Sequence, residues 1–373
     1  MTLRQTPLHS RHVALGAKMA DFGGWEMPIE YAGTVAEHTA VREEVGVFDV
    51  SHMGYTEVTG PGAVAWLNSV VVNDLDRIGP GQAQYNLLCD DSGGVIDDLI
   101  VYRIDDDHAF IVPNASNSDA VVASLTAASA GTGVTVADKR EDYGILAVQG
   151  PRSDTLLEAI GLPAGHDYMS FVRATWQVAQ RGGSADPTAT RDHPVVVCRT
   201  GYTGERGYEI LAPAPVVADL WDAVVAAGAT PAGLGARDTL RTEMGYPLHG
   251  HELSPDITPV QAGLVWAVGW DKADFPGREA LVTERAEGPR RRLRGLAALD
   301  RAIPRAGMQV LLADGTPVGE VTSGTFSPTL KQGIGLALLA PSVVDGDVVV
   351  VDVRGRPSRF TVTRPPFVES HVR

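Results

Sequence analysis

The chain has 373 residues, a formal net charge of -15 and 44% hydrophobic residues, the size of two or three soluble domains. No apolar run reaches the ~18–20 residues of a membrane span, and the acidic balance argues against general binding to nucleic acid or anionic membranes. An anionic ligand would need a local cluster of arginines. The N-terminus MTLRQTPLHSRH lacks the apolar core of a signal peptide. Cys89 and Cys198 are far apart in strand-like contexts, which argues against a disulfide framework or a thiolate metal site, so a reducing cytoplasm is expected.

In chain order, Thr34-x-x-Glu37 forms a capping box opening a helix to about Glu44, followed by a strand over Val47–Val50. Residues 62–70 read as a short helix. Strands are predicted near 83–89, 95–104 and 108–113, with Asp91-Ser92-Gly93-Gly94 turning between the first two. A helix over 117–130, a buried strand over 144–149 and a helix over 152–160 follow. Strands near 194–200 and 207–212 flank a glycine-rich bend, and a helix runs from about 215 to 227. Another begins just after Pro231-Ala232-Gly233-Leu234-Gly235. The charged stretch 284–292 reads as a linker, and beyond it nearly everything looks β, with a hairpin turn at Asp314-Gly315. The fold class is α+β: a body over residues 1–283 and a smaller all-β, barrel-like domain over 291–373.

Within GGVIDDLIVYRI (93–104), Asp97 and Asp98 interrupt an apolar strand. Alternation places Asp98 with Ile96, Ile100 and Tyr102, and Asp97 with Val95, Leu99 and Val101 on the other face. One of them must look into a packed layer or a cleft, where desolvation or a ligand would tune it. Two readings stand: a single functional carboxylate, or one aspartate capping the turn while the other pairs with an arginine. In GLGARDTLR (233–241), Arg237 and Arg241 are four apart on one helix face and suit an anion, or else pair structurally with Asp238 or Glu243. The bend GYTGERGYE (201–209) either stacks a flat ligand or is a plain hairpin. His249-Gly250-His251-Glu252 offers no third metal ligand at recognisable spacing. PRRRLR (289–294) reads as a solvated linker rather than an RNA patch. No GxGxxG or GxxxxGK[ST] motif is present, which disfavours nucleotide binding of either familiar type.

Several stretches together resemble one family over almost the full length. They are Thr6-Pro7-Leu8, DFGGWEMP (21–28), FDVSHM (48–53), GGVIDDLIVY, AVQGP (147–151), TGYTGERGYE (200–209), GLGARDTLR and TSGTFSPTL (322–330). The chain resembles the T-proteins, the folate-dependent aminomethyltransferases of the glycine cleavage system. The resemblance implies a three-domain cloverleaf, its body made of two interleaved α+β subdomains, with tetrahydrofolate near the centre. It implies a partner, the lipoylated H-protein, whose aminomethyl group goes to folate and yields 5,10-methylene-tetrahydrofolate and ammonia, with no metal. By motif position Asp98 is the catalytic carboxylate beside the pterin, and Asp97 supports it from the opposite face. Tyr85, Tyr102, Asn114, Tyr202 and Glu209 fall on pterin and benzoate contacts. Arg237 is the second catalytic candidate, meeting substrate charge or fixing the site wall, and Arg364 falls on the folate glutamate tail. One departure stands out: relatives read Tyr-Gly-Gln-Glu where this chain has His249-Gly-His-Glu252. The alternative is a folate-binding relative acting in iron–sulfur assembly or RNA modification; such relatives carry a cysteine motif in the later half, where this chain has none after Cys198. Folate-using oxidases of sarcosine or dimethylglycine carry a dinucleotide fingerprint that is absent here.

Overall fold

The computed structural model describes residues 2–179 and 190–373. A five-stranded antiparallel sheet runs in the order Gln82–Cys89, Val95–Arg103, His108–Pro113, Thr56–Thr59, Thr135–Asp138. A six-stranded sheet runs Phe171–Ala179, Thr190–Cys198, Gly207–Pro213, Tyr143–Gln149, Gly46–Asp49, Thr230–Pro231. Only its last pairing is parallel. Gly46–Asp49 precedes every strand of the first sheet yet pairs in the second, so the two sheets interleave along the chain.

Strand alternation decides what each face buries. Helices Ala63–Val70 and Ser118–Ser129 cover one face of the first sheet, where Leu67, Val101, Ile111 and Leu125 pack together. Helices Ser153–Ala159 and Ala214–Ala226 cover the second sheet through Leu157, Ile210, Leu220 and Trp221. The remaining faces meet each other: Tyr102 and Phe110 pack with Phe48, Ile145 and Leu211. Tyr102 and Phe110 stack with ring centroids 4.4 Å apart, worth about 0.5–1.5 kcal/mol beyond burial.

Beyond Gly288 a closed barrel runs in the order Arg292–Ala298, Gln332–Leu339, Pro317–Ser327, Gln309–Leu311, Val348–Asp352, Pro357–Thr363. Closure removes free strand edges, and Leu296, Val321, Val349 and Phe360 fill the interior. The hairpin turn falls at Asp314-Gly315 as expected, with Gly315 at φ 88° and the Asp314 carboxylate accepting from Thr316 N at 2.9 Å.

Two local expectations change. Residues 284–287 end the helix Arg278–Glu287 rather than belonging to a linker, because Leu281 packs against Gly93 and Glu284 accepts a hydrogen bond from Gln261 at 2.8 Å. The arginines that follow are not merely solvated: Arg291 donates to Gln261 Oε1 at 2.8 Å and to Asp256 O at 2.9 Å, tying the barrel's first strand to the body. The capping box is half formed. The helix starts at Thr34, but the Thr34 hydroxyl donates to Glu30 at 3.3 Å, while buried Glu37 accepts from Gly33 N at 3.0 Å and Gly233 N at 2.8 Å. The TSGTFSPTL segment clamps the barrel onto the body: Thr329 reaches Glu243 at 3.0 Å and Ser323 accepts from Arg241 at 2.7 Å.

Candidate active site

A cavity of about 1020 Å³ lies where the two sheets, the helix Leu234–Met244 and the barrel converge. Asp98 and Tyr85 line it from the first sheet, Glu209 from the second, Arg237 from the helix and Arg305 from the barrel side. Arg364 stands exposed in the same wall, on the segment that leaves the last barrel strand.

The strand Val95–Arg103 carries the two aspartates as alternation requires. Asp98 opens on the cavity, and Asp97, 0% exposed, points toward the helix-covered face. Neither caps the turn; Asp90 does that, accepting from Ser92 N at 2.8 Å and Gly94 N at 3.1 Å. Neither meets an arginine among the described residues. The Asp97 carboxylate instead accepts from Asn114 N at 2.9 Å, Asn114 Nδ2 at 2.8 Å and Asn117 Nδ2 at 2.6 Å. Asn114 Nδ2 also donates to Asp98 Oδ1 at 2.8 Å, and the Tyr85 hydroxyl donates to Asp98 Oδ2 at 3.0 Å. The faces are opposite, but one amide couples them. Burial, then the charge of Asp98, raises the Asp97 carboxyl, and burial raises Asp98 as well against the pull of Tyr85 and His249. Burial and the neighbouring Asp98 raise Tyr85 so that it keeps its proton.

The two arginines of the helix Leu234–Met244 part company. Arg241, 2% exposed, is consumed structurally by Asp238 at 2.7 Å and Glu252 at 3.0 Å. Arg237 makes no ion pair among the described residues; its guanidinium lies over the Tyr202 ring at 4.6 Å, and its Nη1 is buried without a hydrogen-bond partner. Burial lowers its pKa, opposed by the charge of Glu209. Glu209 is steadied by the Thr200 hydroxyl at 2.6 Å. The Tyr202 hydroxyl is fixed on Pro247 O.

The structure thus brings Asp98, Arg237, Tyr85, Asn114, Tyr202, Glu209 and Arg364 to one cavity. Tyr102 is the exception and requires a correction. It shares a strand face with Asp98 but lies deeper, 1% exposed, stacked on Phe110 in the inter-sheet core. It reaches the site only through its hydroxyl, 3.1 Å from Thr200 Oγ1. The histidines of HGHE go separate ways: His249 Nε2 to Val95 O at 3.1 Å, His251 Nδ1 to Thr322 O at 2.8 Å.

Two wall residues escaped sequence reasoning. His52 is buried beside the cavity, edge-on to Phe22 at 5.6 Å, and burial, opposed by Asp49 and reinforced by Arg237, pushes its imidazole down to about 4. Its only sequence signal is its place in FDVSHM. Trp266 is 63% exposed and stacked on Tyr85 at 5.5 Å; an exposed tryptophan in a wall has no signature in local periodicity.

Fold and site together define a class: an α+β protein closed by a β-barrel around a cavity, with a half-buried acid on one side and, on another, a guanidinium without an ion pair among the described residues. Residues 8–272 match the GCVT N-terminal domain, and residues 291–369 match the glycine cleavage T-protein C-terminal barrel domain. The chain belongs to the glycine cleavage T-protein family. It is 61% identical to an aminomethyltransferase of Frankia alni over 99% of this chain and 98% of that one. It is 56% identical to an aminomethyltransferase of Mycobacterium tuberculosis (strain H37Rv) over 97% of this chain and 96% of that one. The crystal structure of the glycine cleavage system aminomethyltransferase T from Bartonella henselae superposes with a TM-score of 0.89 at 33% identity, covering 99% of both chains.

Proposed function

We propose that the protein is an aminomethyltransferase that moves a one-carbon unit from the aminomethyl-lipoyl arm of an H-protein to tetrahydrofolate. The products are 5,10-methylene-tetrahydrofolate, ammonia and the dihydrolipoyl arm. The observation that carries this reading is Asp98, a carboxyl aimed into a cavity of about 1020 Å³, large enough for a folate.

The atom balance states what the site must do. The transferred carbon replaces one hydrogen on each of two folate nitrogens; one of those hydrogens leaves with the amine as ammonia and the other stays on the lipoyl sulfur. No electrons change hands, so the protein has to align two partners and move protons. Asp98 is the group placed for the proton work. Glu209 accepts from the N–H edge of the pterin, and the Arg237 Nη1 donor meets its oxygen or the developing charge. Tyr202 and Tyr85 wall the rings. Arg364 and Arg305 attract the glutamate tail, a local exception in an acidic chain. The tether on the carrier raises the effective concentration of the arm to roughly mM. The names of the relatives favour this transfer over a role in iron–sulfur assembly or RNA modification.

The compartment we assign is the cytoplasm, in keeping with the free, buried Cys89 and Cys198. Among the described residues no helix is long and apolar enough to cross a membrane.

Calorimetric titration with tetrahydrofolate, followed by turnover with aminomethylated carrier, tests the proposal. Saturable binding and ammonia release are expected. A flat trace removes the reading. Asp98→Asn should stay folded, bind folate and lose about 10²–10⁴ of turnover; undiminished turnover would take Asp98 out of the chemistry.

A further inference from the structure

Asp97 presents the hydrogen-bond pattern of an anion. Its three partners, Asn114 N at 2.9 Å, Asn114 Nδ2 at 2.8 Å and Asn117 Nδ2 at 2.6 Å, are all N–H donors. None can accept, so a proton on either oxygen would find no acceptor among them. Asp98 is surrounded differently. One oxygen takes the Asn114 Nδ2 donor at 2.8 Å, but the other meets the Tyr85 hydroxyl at 3.0 Å, which donates here and can rotate to accept, and the carboxyl opens on the cavity.

The single amide Asn114 Nδ2 joins the pair, 2.8 Å from an oxygen of each. Two carboxylates held this way out of water oppose each other's charge, so the pair retains one proton where an exposed pair would hold none. Burial raises the titration of both. Burial alone would put the proton on the deeper Asp97, but the three N–H donors oppose that and the flexible partner of Asp98 permits the alternative. The titratable groups facing the pair from other elements are Tyr85 on the neighbouring strand, His249 on the loop beyond the helix Leu234–Met244, and Tyr202 in the glycine-rich bend. His249 holds Val95 O at 3.1 Å, and Tyr85 and Tyr202 stay neutral through burial, so no fixed cation among the described residues discharges Asp97.

We infer that Asp97 is a positioning residue that stays ionised and thereby keeps a proton on Asp98, loading the cavity-facing carboxyl as the acid of the transfer. The inference rests on the aminomethyl-transfer reading. Asp98 gives its proton to the amine nitrogen as the carbon–nitrogen bond breaks and ammonia leaves. It recovers a proton from a folate N–H as the new carbon–nitrogen bond forms, and the pair returns to its starting state. Asn114 is the relay that makes Asp97 felt at Asp98.

The test follows the aspartate carboxyls of the full-length protein by isotope-edited infrared and carbon-13 NMR across pH, in native, Asp97→Asn and Asp98→Asn forms. In the native protein one carboxyl should remain protonated at neutral pH, and its signal should vanish in Asp98→Asn. In Asp97→Asn the Asp98 carboxyl should titrate lower by about one pH unit or more, a tenfold change in acidity, and the alkaline limb of kcat should move down with it. Absence of a protonated carboxyl in the native protein overturns the inference, as does its survival in Asp98→Asn or an unshifted titration in Asp97→Asn. The native and Asp98→Asn spectra decide the question even if Asp97→Asn does not fold. None of the spectra needs a substrate. A loaded Asp98 in a protein that ignores folate would therefore sink the reaction and spare the pair, and an unloaded Asp98 in an active transferase would do the reverse.

Discussion

Replacing Arg237 with methionine should make the ligand-free protein more stable and the enzyme worse. Its Nη1 is buried with no partner, and no carboxylate forms an ion pair with it among the described residues. An unsatisfied buried donor costs about 1–3 kcal/mol. The contact with the Tyr202 ring at 4.6 Å returns about 0.5–2 kcal/mol. Methionine keeps most of the side-chain volume and removes both contributions, a net gain of roughly 1 kcal/mol at the midpoints of the two ranges, or a few degrees in Tm. In turnover the same change deletes a charge-assisted hydrogen bond to substrate worth about 1.5–3 kcal/mol, which is about 10- to 100-fold in kcat/KM. Thermal unfolding without ligand and steady-state kinetics with tetrahydrofolate measure the two halves. The signature is opposition: Tm holds or rises while kcat/KM falls. A variant that loses 1 kcal/mol or more of stability and keeps its kcat/KM would show that Arg237 braces the wall and does not meet substrate.

Three further outcomes are expected. Burial opposes the charge of Glu243, but His38, Ser327 and Arg42 hold its carboxyl at about 2. A depressed pKa contributes stability that is full above the unfolded value near 4.3 and is lost as pH falls toward about 2. Urea midpoints of the native protein should therefore drop between about pH 5 and pH 3, and Glu243→Gln should flatten that drop; parallel curves would discount the clamp. Gly94→Ala would set a Cβ 1.9 Å from Pro255 O, displacing the loop whose Ser254 O accepts from Val95 N at 3.0 Å. It should cost about 1–3 kcal/mol in chemical unfolding and raise KM through the adjoining wall, and a neutral variant would refute the close approach. Arg364→Ala should raise the KM for folates with longer glutamate tails by about two- to fivefold, most at low salt, with kcat unchanged. An effect independent of both tail and salt would remove Arg364 from tail binding.

Much of this architecture is legible before folding, because period and turn chemistry are local. The alternation in 95–103, the helix at 234–244 and the Asp314-Gly315 turn depend only on residues a few positions apart. The helix Arg278–Glu287 was hidden because its last residues, 284–287, read as part of a charged linker; what fixes it is Leu281 against Gly93, almost two hundred residues away. Tyr102 shows the same limit inside a correctly read strand. Parity names its face, but four residues at about 3.3 Å each carry it from the cavity into the core.

Arg237 and Arg241 present equal credentials in sequence, one helical turn apart. Asp238 three residues back, Glu252 on a returning loop and Ser323 of the barrel all reach one of them and not the other, which makes Arg241 a strut and leaves Arg237 without an ion pair among the described residues. The paired aspartates divide in the same way. Their spacing assigned them to opposite faces, a matter of backbone geometry that any extended strand enforces. Their coupling through Asn114, the lack of an arginine or lysine partner among the described residues and the upward pull on both carboxyls came only with the packed molecule. Hydrogen-bond supply and solvent exclusion are set by segments distant in the chain, and no local pattern encodes them.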